Sequence, residues 1–235
     1  MKHLTLIPTP ISEDLPLEPV ALEKLRADGL SDDVGLLVEE HKVARQRWLK
    51  WGLPREAIDR FELYNEHTQV ERIPALIAEM KRGKRFYLMS DAGLPAFCDP
   101  GQKLVSACHD AGLQVTATPF PNSIALAVAL SGFEHREFHF AGFLPANADE
   151  RKSALERLSR IPQTLIVMDT PYRMQALLKD LEASALKRRS MFVACELNQP
   201  TEQLYRGSIS ELRAQLESAG KKEFILLVDT IASAK

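Results

Sequence analysis

Ser90-Asp91-Ala92-Gly93-Leu94-Pro95-Ala96-Phe97-Cys98-Asp99-Pro100-Gly101 follows an apolar run, Phe86 to Met89, and precedes a segment in which Leu104, Val105, Cys108 and Ala111 keep helical spacing. The chain therefore reads strand, long turn, helix. Open α/β sheets bind ligands beyond the carboxyl ends of their strands, where such a turn lies. Asp99 is read as a helix N-cap, Pro100 as a first-turn residue and Gly93 as a position needing positive φ or close ligand approach. The stretch carries carboxylates but no Lys or Arg. A phosphate cradle offers bare amides and a cation, so a ligand with hydroxyls and a positive charge suits this loop better. A turn plus a cap accounts for Asp99-Pro100-Gly101 but leaves Ser90-Asp91-Ala92-Gly93 without a reason, and the whole is read as a binding loop.

Outward from this loop, apolar runs alternate with helical patterns. Strands are expected at Leu4 to Ile7, Val34 to Val38, Phe61 to Tyr64, Arg85 to Met89 and Val115 to Thr118. Helices are expected at Pro19 to Arg26, Ala44 to Trp51, Val70 to Lys81, from Gln102 to Ala111 and at Ser123 to Leu130. This is the βαβ rhythm of a mostly parallel sheet. Pro119-Phe120-Pro121 makes a stiff turn and a domain hinge. Beyond it come strands at Phe138 to Ala141, Leu165 to Met168, Met191 to Ala194, Gln203 to Arg206 and Phe224 to Val228. A helix is placed at Arg151 to Arg160, and Met174, Leu177, Leu178 and Leu181 line one face of another. Ser208-Ile209-Ser210-Glu211 is a capping box. The turn around Gln199-Pro200-Thr201 leaves no room for a crossover helix, so the later strands are expected to be more antiparallel. The fold class is two α/β domains, residues 1–118 with a mostly parallel sheet and 119–235 with a mixed one, and the cleft between them is the default ligand site.

Composition narrows the classes. The 235 residues are 45% hydrophobic and 26% charged, ordinary for a soluble globular protein, and the net charge of −2 implies no bulk affinity for nucleic acid or membrane. Lys81 to Arg85 and Lys187 to Arg189 are basic clusters at helix-to-strand junctions, where solvated cations are common. Cys98, Cys108 and Cys195 show no metal-ligand spacing, so no metal is expected and the thiols fit a reduced, cytoplasmic protein. No apolar run approaches membrane-spanning length.

Several separated segments together resemble one family. They are Leu6 to Ile11, Ser90 to Gly101, Ser131-Gly132, Gly142 to Pro145, Thr170-Pro171-Tyr172-Arg173, Glu196-Leu197, Arg206-Gly207 and Glu223. In this order they are similar to the tetrapyrrole methylase superfamily of S-adenosylmethionine-dependent methyltransferases, and within it to the branch that methylates ribose 2′-hydroxyls of small-subunit ribosomal RNA. The resemblance runs from about Leu4 to Val228. It implies S-adenosylmethionine as cofactor, a homodimer, and ribosomal RNA as a partner. It places the cofactor against Pro10, Ser90, Asp91, Ala92, Gly93, Ser123, Ile124, Ala125, Phe143, Leu144, Thr170, Pro171 and Tyr172. The residues themselves agree in part. Asp91 can accept bonds from hydroxyl or ammonium groups, and a helix start at Ser123 supplies free amides.

The chain departs from that branch in its charges. Glu39-Glu40-His41-Lys42 stands for Glu-Asp-Thr-Arg, Pro119-Phe120-Pro121 for Pro-Gly-Pro, Cys195 to Gln199 for Arg-Glu-Leu-Thr-Lys, and Ser12 for a usual glycine. Fewer cations weaken the case for a polyanionic substrate, and the chain reads as a divergent paralogue. A hydroxyl acceptor needs help losing its proton, and Glu40, His41 and Lys42 are the candidates for base and electrostatic support, with a charged strand end and a first-turn lysine as the alternative for His41 and Lys42. Arg173 either clamps a substrate phosphate or pairs with Asp169, and Glu196 either orients substrate or organises the second domain. Trp48, Trp51 and Tyr64 are candidate base-stacking residues, although the i, i+3 spacing of the tryptophans favours core or dimer packing. Three classes stay open: an RNA methyltransferase, a small-molecule methyltransferase acting on a porphyrinoid-like compound, and a cofactor-binding paralogue with little catalysis.

Overall fold

The computed structural model describes residues 2–120 and 122–231. It divides into two units, Met1–Phe120 and Pro121–Lys235. Pro121, part of the expected stiff turn, lies outside the described residues.

The first unit runs β1 (Leu4–Ile7), α1 (Pro19–Asp28), β2 (Val34–Val38), α2 (His41–Lys50), β3 (Phe61–Leu63), α3 (Gln69–Lys81), β4 (Arg85–Met89), α4 (Gln102–Asp110) and β5 (Val115–Ala117). Its sheet has the order β3-β2-β4-β1-β5, and every neighbouring pair is parallel. Such strands are covered on both faces, which is why β2 is buried at every position. Val34, Leu36 and Val38 point into one core with Leu25, Trp48 and Tyr87, while Leu37 points into the other with Leu76, Phe86 and Leu104. Because all five strands run the same way, the loops after β1, β2 and β4 emerge at one edge.

The second unit runs α5 (Ser123–Ser131), β6 (Phe138–Phe143), α6 (Ala148–Leu158), β7 (Thr164–Asp169), α7 (Met174–Ala183), β8 (Met191–Cys195), β9 (Gln203–Gly207), α8 (Ile209–Leu216) and β10 (Phe224–Val228). The sheet order is β6-β7-β10-β8-β9; β6 and β7 pair parallel and the remaining pairs are antiparallel. Met174, Leu177, Leu178 and Leu181 of α7 are all buried, as their spacing requires. Ser208 and Glu211 form the expected capping box at the start of α8. Among the described residues no helix is long and apolar enough to cross a membrane.

Some expectations need correction. Helix α2 begins at His41 rather than Ala44, because the Glu40 carboxylate accepts the amides of Lys42 and Val43 and starts the helix before the apolar pattern does. Helix α6 begins at Ala148 for the same kind of reason, with Asn147 as its cap. Asp99 does not cap α4. Gly101 holds that position at φ 133°, and a Cβ there would meet Leu88 Cδ2 at 2.7 Å. Trp48 and Tyr64 stack no base, since both are fully buried in the cores. Trp48 donates from Nε1 to the Pro54 carbonyl at 2.7 Å and meets Phe61 edge-on at 5.3 Å, and Trp51 packs against the same core. The pair therefore gives no support to a dimer surface.

Candidate functional site

In the first unit the loops after β1, β2 and β4 are joined by hydrogen bonds. Thr9 and Gly93 exchange both main-chain bonds at 2.9 Å, and Thr9 Oγ1 donates to the Ser90 carbonyl at 3.1 Å. Gly93 takes φ 90°, as its position predicts. Glu39, after β2, accepts the Asp91 amide at 3.1 Å. Arg47 of α2 reaches the carbonyls of Pro10 at 2.6 Å and Ile11 at 3.4 Å. Pro10, the run Glu40 to Lys42, and the run Ser90 to Gly93 thus lie at one edge of one sheet.

The electrostatics of this edge are acidic. Burial and the neighbouring Glu39 push the Asp91 carboxyl up to about 6, against a partial offset from the Glu40 amide and Arg47. Burial and Glu39 also push Asp99 up to about 6, while a bond from Ser90 pulls it down. Burial lowers the Arg47 guanidinium, and Glu13 and Asp91 oppose that shift. Beyond Gly93 the loop turns through Ala96 at φ 66° and Cys98 at φ 64°, left-handed positions that non-glycine residues seldom take. The loop from Ser90 to Gly101 can hold hydroxyls and a cation, and carries no Lys or Arg of its own to offer a phosphate.

The other candidates of this unit differ in availability. The Glu40 carboxylate is held by two amides and its pKa is lowered by them, which makes it a poor base. His41 and Lys42 are exposed on the first turn of α2.

In the second unit, Asp169 closes β7 with a buried carboxylate whose Oδ1 accepts from the Thr170 amide at 2.7 Å and from Arg173 Nε at 2.6 Å. Arg173 also donates to the Leu144 carbonyl at 3.2 Å. Between the two readings left open for Arg173, its geometry is that of the Asp169 partner. The contact gathers Phe143-Leu144 and Thr170-Pro171-Tyr172 around one ion pair. A register shift at Phe140/Gly142, with Gly142 at φ 64°, sets the course of the chain into exposed Phe143. Tyr172 is 77% exposed, with Lys221 Nζ 4.3 Å from its ring centroid. Ser123, Ile124 and Ala125 begin α5, but the Ile124 and Ala125 amides are already accepted by Asn122 Oδ1, a correction to the expected free amides. Glu196 Oε1 accepts the Glu223 amide at 2.7 Å, and its own amide donates to the Glu223 carbonyl at 2.9 Å, so it ties the end of β8 to the start of β10.

Sequence reasoning missed Glu39 as a loop tie and Arg47 as an anchor. Both sit in charged stretches that look like solvated surface, and no spacing marks them. The expected basic surface shrinks as well. Lys84 pairs with Glu62 and Glu79, Arg85 with Asp28 and Asp33, and buried Arg189 donates to backbone carbonyls.

The family profile described as Tetrapyrrole (Corrin/Porphyrin) Methylases matches residues 21–213. A Ribosomal RNA small subunit methyltransferase I of Xylella fastidiosa is 33% identical over 232 residues, covering 97% of this chain and 82% of that protein. A protein of the same name from Synechocystis is 35% identical over 166 residues, 70% of this chain, and the match spans 60% of that relative's length. Among solved structures, the uroporphyrin-III C-methyl transferase from Thermus thermophilus complexed with S-adenyl homocysteine superposes with a TM-score of 0.54 at 16% identity, covering 97% of each chain.

Proposed function

The chain belongs to the tetrapyrrole methylase family, and on that premise we propose that it transfers a methyl group from S-adenosylmethionine to a ribose hydroxyl of small-subunit ribosomal RNA. The observation that carries the cofactor half is the set of acceptors on the loop after β4. Asp91 and Asp99 present two carboxylates, the buried Ser90 hydroxyl is bonded within the loop, to the Gly93 carbonyl at 3.2 Å, and no Lys or Arg stands between Ser90 and Gly101. Open space beside Gly93, where a Cβ would meet only Asp99 Oδ2 at 3.9 Å, leaves room for close approach. S-adenosylmethionine carries an ammonium, ribose hydroxyls and a sulfonium, the groups such acceptors hold. When bound, it supplies the electrophilic methyl.

In this reading Asp91 and Ser90 hold the cofactor, Gly93 and Ala92 let it approach the backbone, and Arg47 keeps Pro10 in place. Phe143, Leu144, Thr170, Pro171, Tyr172 and the run Ser123 to Ala125 complete the cofactor set. Methyl displacement asks mainly for position, so the protein's chemical task is to take the acceptor's proton. Imidazole is the side chain suited to that near neutral pH, and the ring of His41 makes no hydrogen bond of its own. Lys42 supports the developing alkoxide. Glu40 sets the helix that carries both, and Arg173 and Glu196 hold loops in shape. The protein acts as a homodimer in the cytoplasm.

The relatives' printed names favour RNA; the net charge of −2 favours a small-molecule acceptor. Incubating the protein with methyl-labelled S-adenosylmethionine and fractionated cell extract separates them. Label in alkali-resistant dinucleotides of ribosomal RNA is expected. Label confined to the small-molecule fraction would establish the second reading, and no label anywhere would leave a binding paralogue.

A further inference from the structure

We propose that the exposed face of α2 is the surface on which the phosphodiester backbone of the RNA substrate lies, with Lys42 and Arg45 on phosphates and Gln46 donating beside them. This rests on the reading of RNA as the substrate. Lys42, Arg45, Gln46 and Leu49 stand at i, i+3, i+4 and i+7, so they share one face of the helix. With Glu40 and His41 they line an open hollow of about 570 Å³. The hollow adjoins the cofactor loop, because Glu39, immediately before the cap of α2, holds the Asp91 amide.

Charge selects the occupant. Among the described residues, several cations elsewhere in this unit are paired: Lys50 with Asp14, Arg60 with Asp32, Arg72 with Glu62, and Lys84 and Arg85 as above. Lys42 and Arg45 have no side-chain hydrogen bond and no ion pair. The one carboxylate lining the hollow, Glu40, accepts two helix amides, and the positive end of the helix offsets its charge. A second hollow beside it, about 440 Å³, contrasts with this. It is lined by Arg55, Glu56 and Asp59 as well as by Arg45, so carboxylates there are as many as cations. Two exposed cations, Lys42 and Arg45, against the single carboxylate of Glu40 fit a phosphate chain, and Leu49, 39% exposed at the far end, offers an apolar rest for a sugar or base.

The test compares the wild-type protein with Arg45→Ala, Arg45→Lys and Arg55→Ala, measuring binding to small-subunit ribosomal RNA across salt concentrations and S-adenosylmethionine binding by calorimetry. Arg45→Ala should flatten the plot of log K against log salt by about 0.7–0.9, one phosphate contact. Arg45→Lys should restore the slope, Arg55→Ala should leave it unchanged, and cofactor affinity should be the same in all. An unchanged slope in Arg45→Ala, with RNA methylation intact, overturns the surface and leaves the RNA reading standing. A wild-type protein that neither binds RNA salt-dependently nor methylates it ends both. A change of oligomeric mass in Arg45→Ala would give the face to a second copy of the chain and overturn the proposal too.

Discussion

Glu39 Oε2 accepts the main-chain N–H of Asp91 at 3.1 Å, and this bond joins the end of β2 to the loop after β4. It sets a carboxylate beside Asp91 and Asp99, so three acidic groups share one half-buried edge. Geometry that ties the loops together is also what raises two of their pKa values.

A pH dependence follows. Asp91 and Asp99 sit at about 6 in the folded chain against an ordinary 3.8, so the folded state binds more protons between those values. Their contribution to stability is fully present below the lower value and is lost as pH rises through about 6. The ligand-free protein should melt higher at pH 5 than at pH 7.5, and Asp91→Asn with Asp99→Asn should reduce that difference. Cofactor affinity should run the other way, falling as pH drops below 6, because the acceptors must be ionised. Thermal melts at the two pH values check the first, titration calorimetry the second.

Arg47 is a positioning residue. Its guanidinium is bonded to the Pro10 and Ile11 carbonyls and touches no reacting group. Arg47→Ala should cost on the order of 1.5–3 kcal/mol for charge-assisted bonds lost in a buried place. Steady-state kinetics should show KM for S-adenosylmethionine rising several-fold with kcat less affected. Arg47→Lys should recover only part, since an ammonium lacks the planar fork.

Gly101 fixes the exit of the loop into α4. Gly101→Ala would carry a Cβ 2.7 Å from Leu88 Cδ2 and 3.1 Å from Ala96 Cβ at a left-handed φ. A loss of about 1–3 kcal/mol in denaturant unfolding is expected.

Much of the fold was legible because the strands are short apolar runs between turn residues. Leu4–Ile7, Val34–Val38, Arg85–Met89 and Phe224–Val228 fall where the runs do. Helix starts were harder where a cap outruns the apolar pattern: Glu40 begins α2 three residues before Ala44. Asp99 looked like a cap because Asp-Pro-Gly commonly opens a helix, but the φ of Gly101 turns the chain and leaves the carboxylate on the loop. The loop itself was readable from composition. Its ties were not, because Glu39 to Asp91 and Arg47 to Pro10 span 52 and 37 residues, and pairing across such distances is decided by sheet order.

The most direct measurement is calorimetric titration of S-adenosylmethionine into the wild-type protein and into Asp91→Ala, at pH 7.5, with folding of each checked by its melting transition. The wild type should bind one cofactor per chain, and Asp91→Ala should bind it more weakly by about 1–3 kcal/mol, the cost of lost charge-assisted bonds. A folded Asp91→Ala protein with wild-type affinity would contradict the placement of the cofactor on this loop.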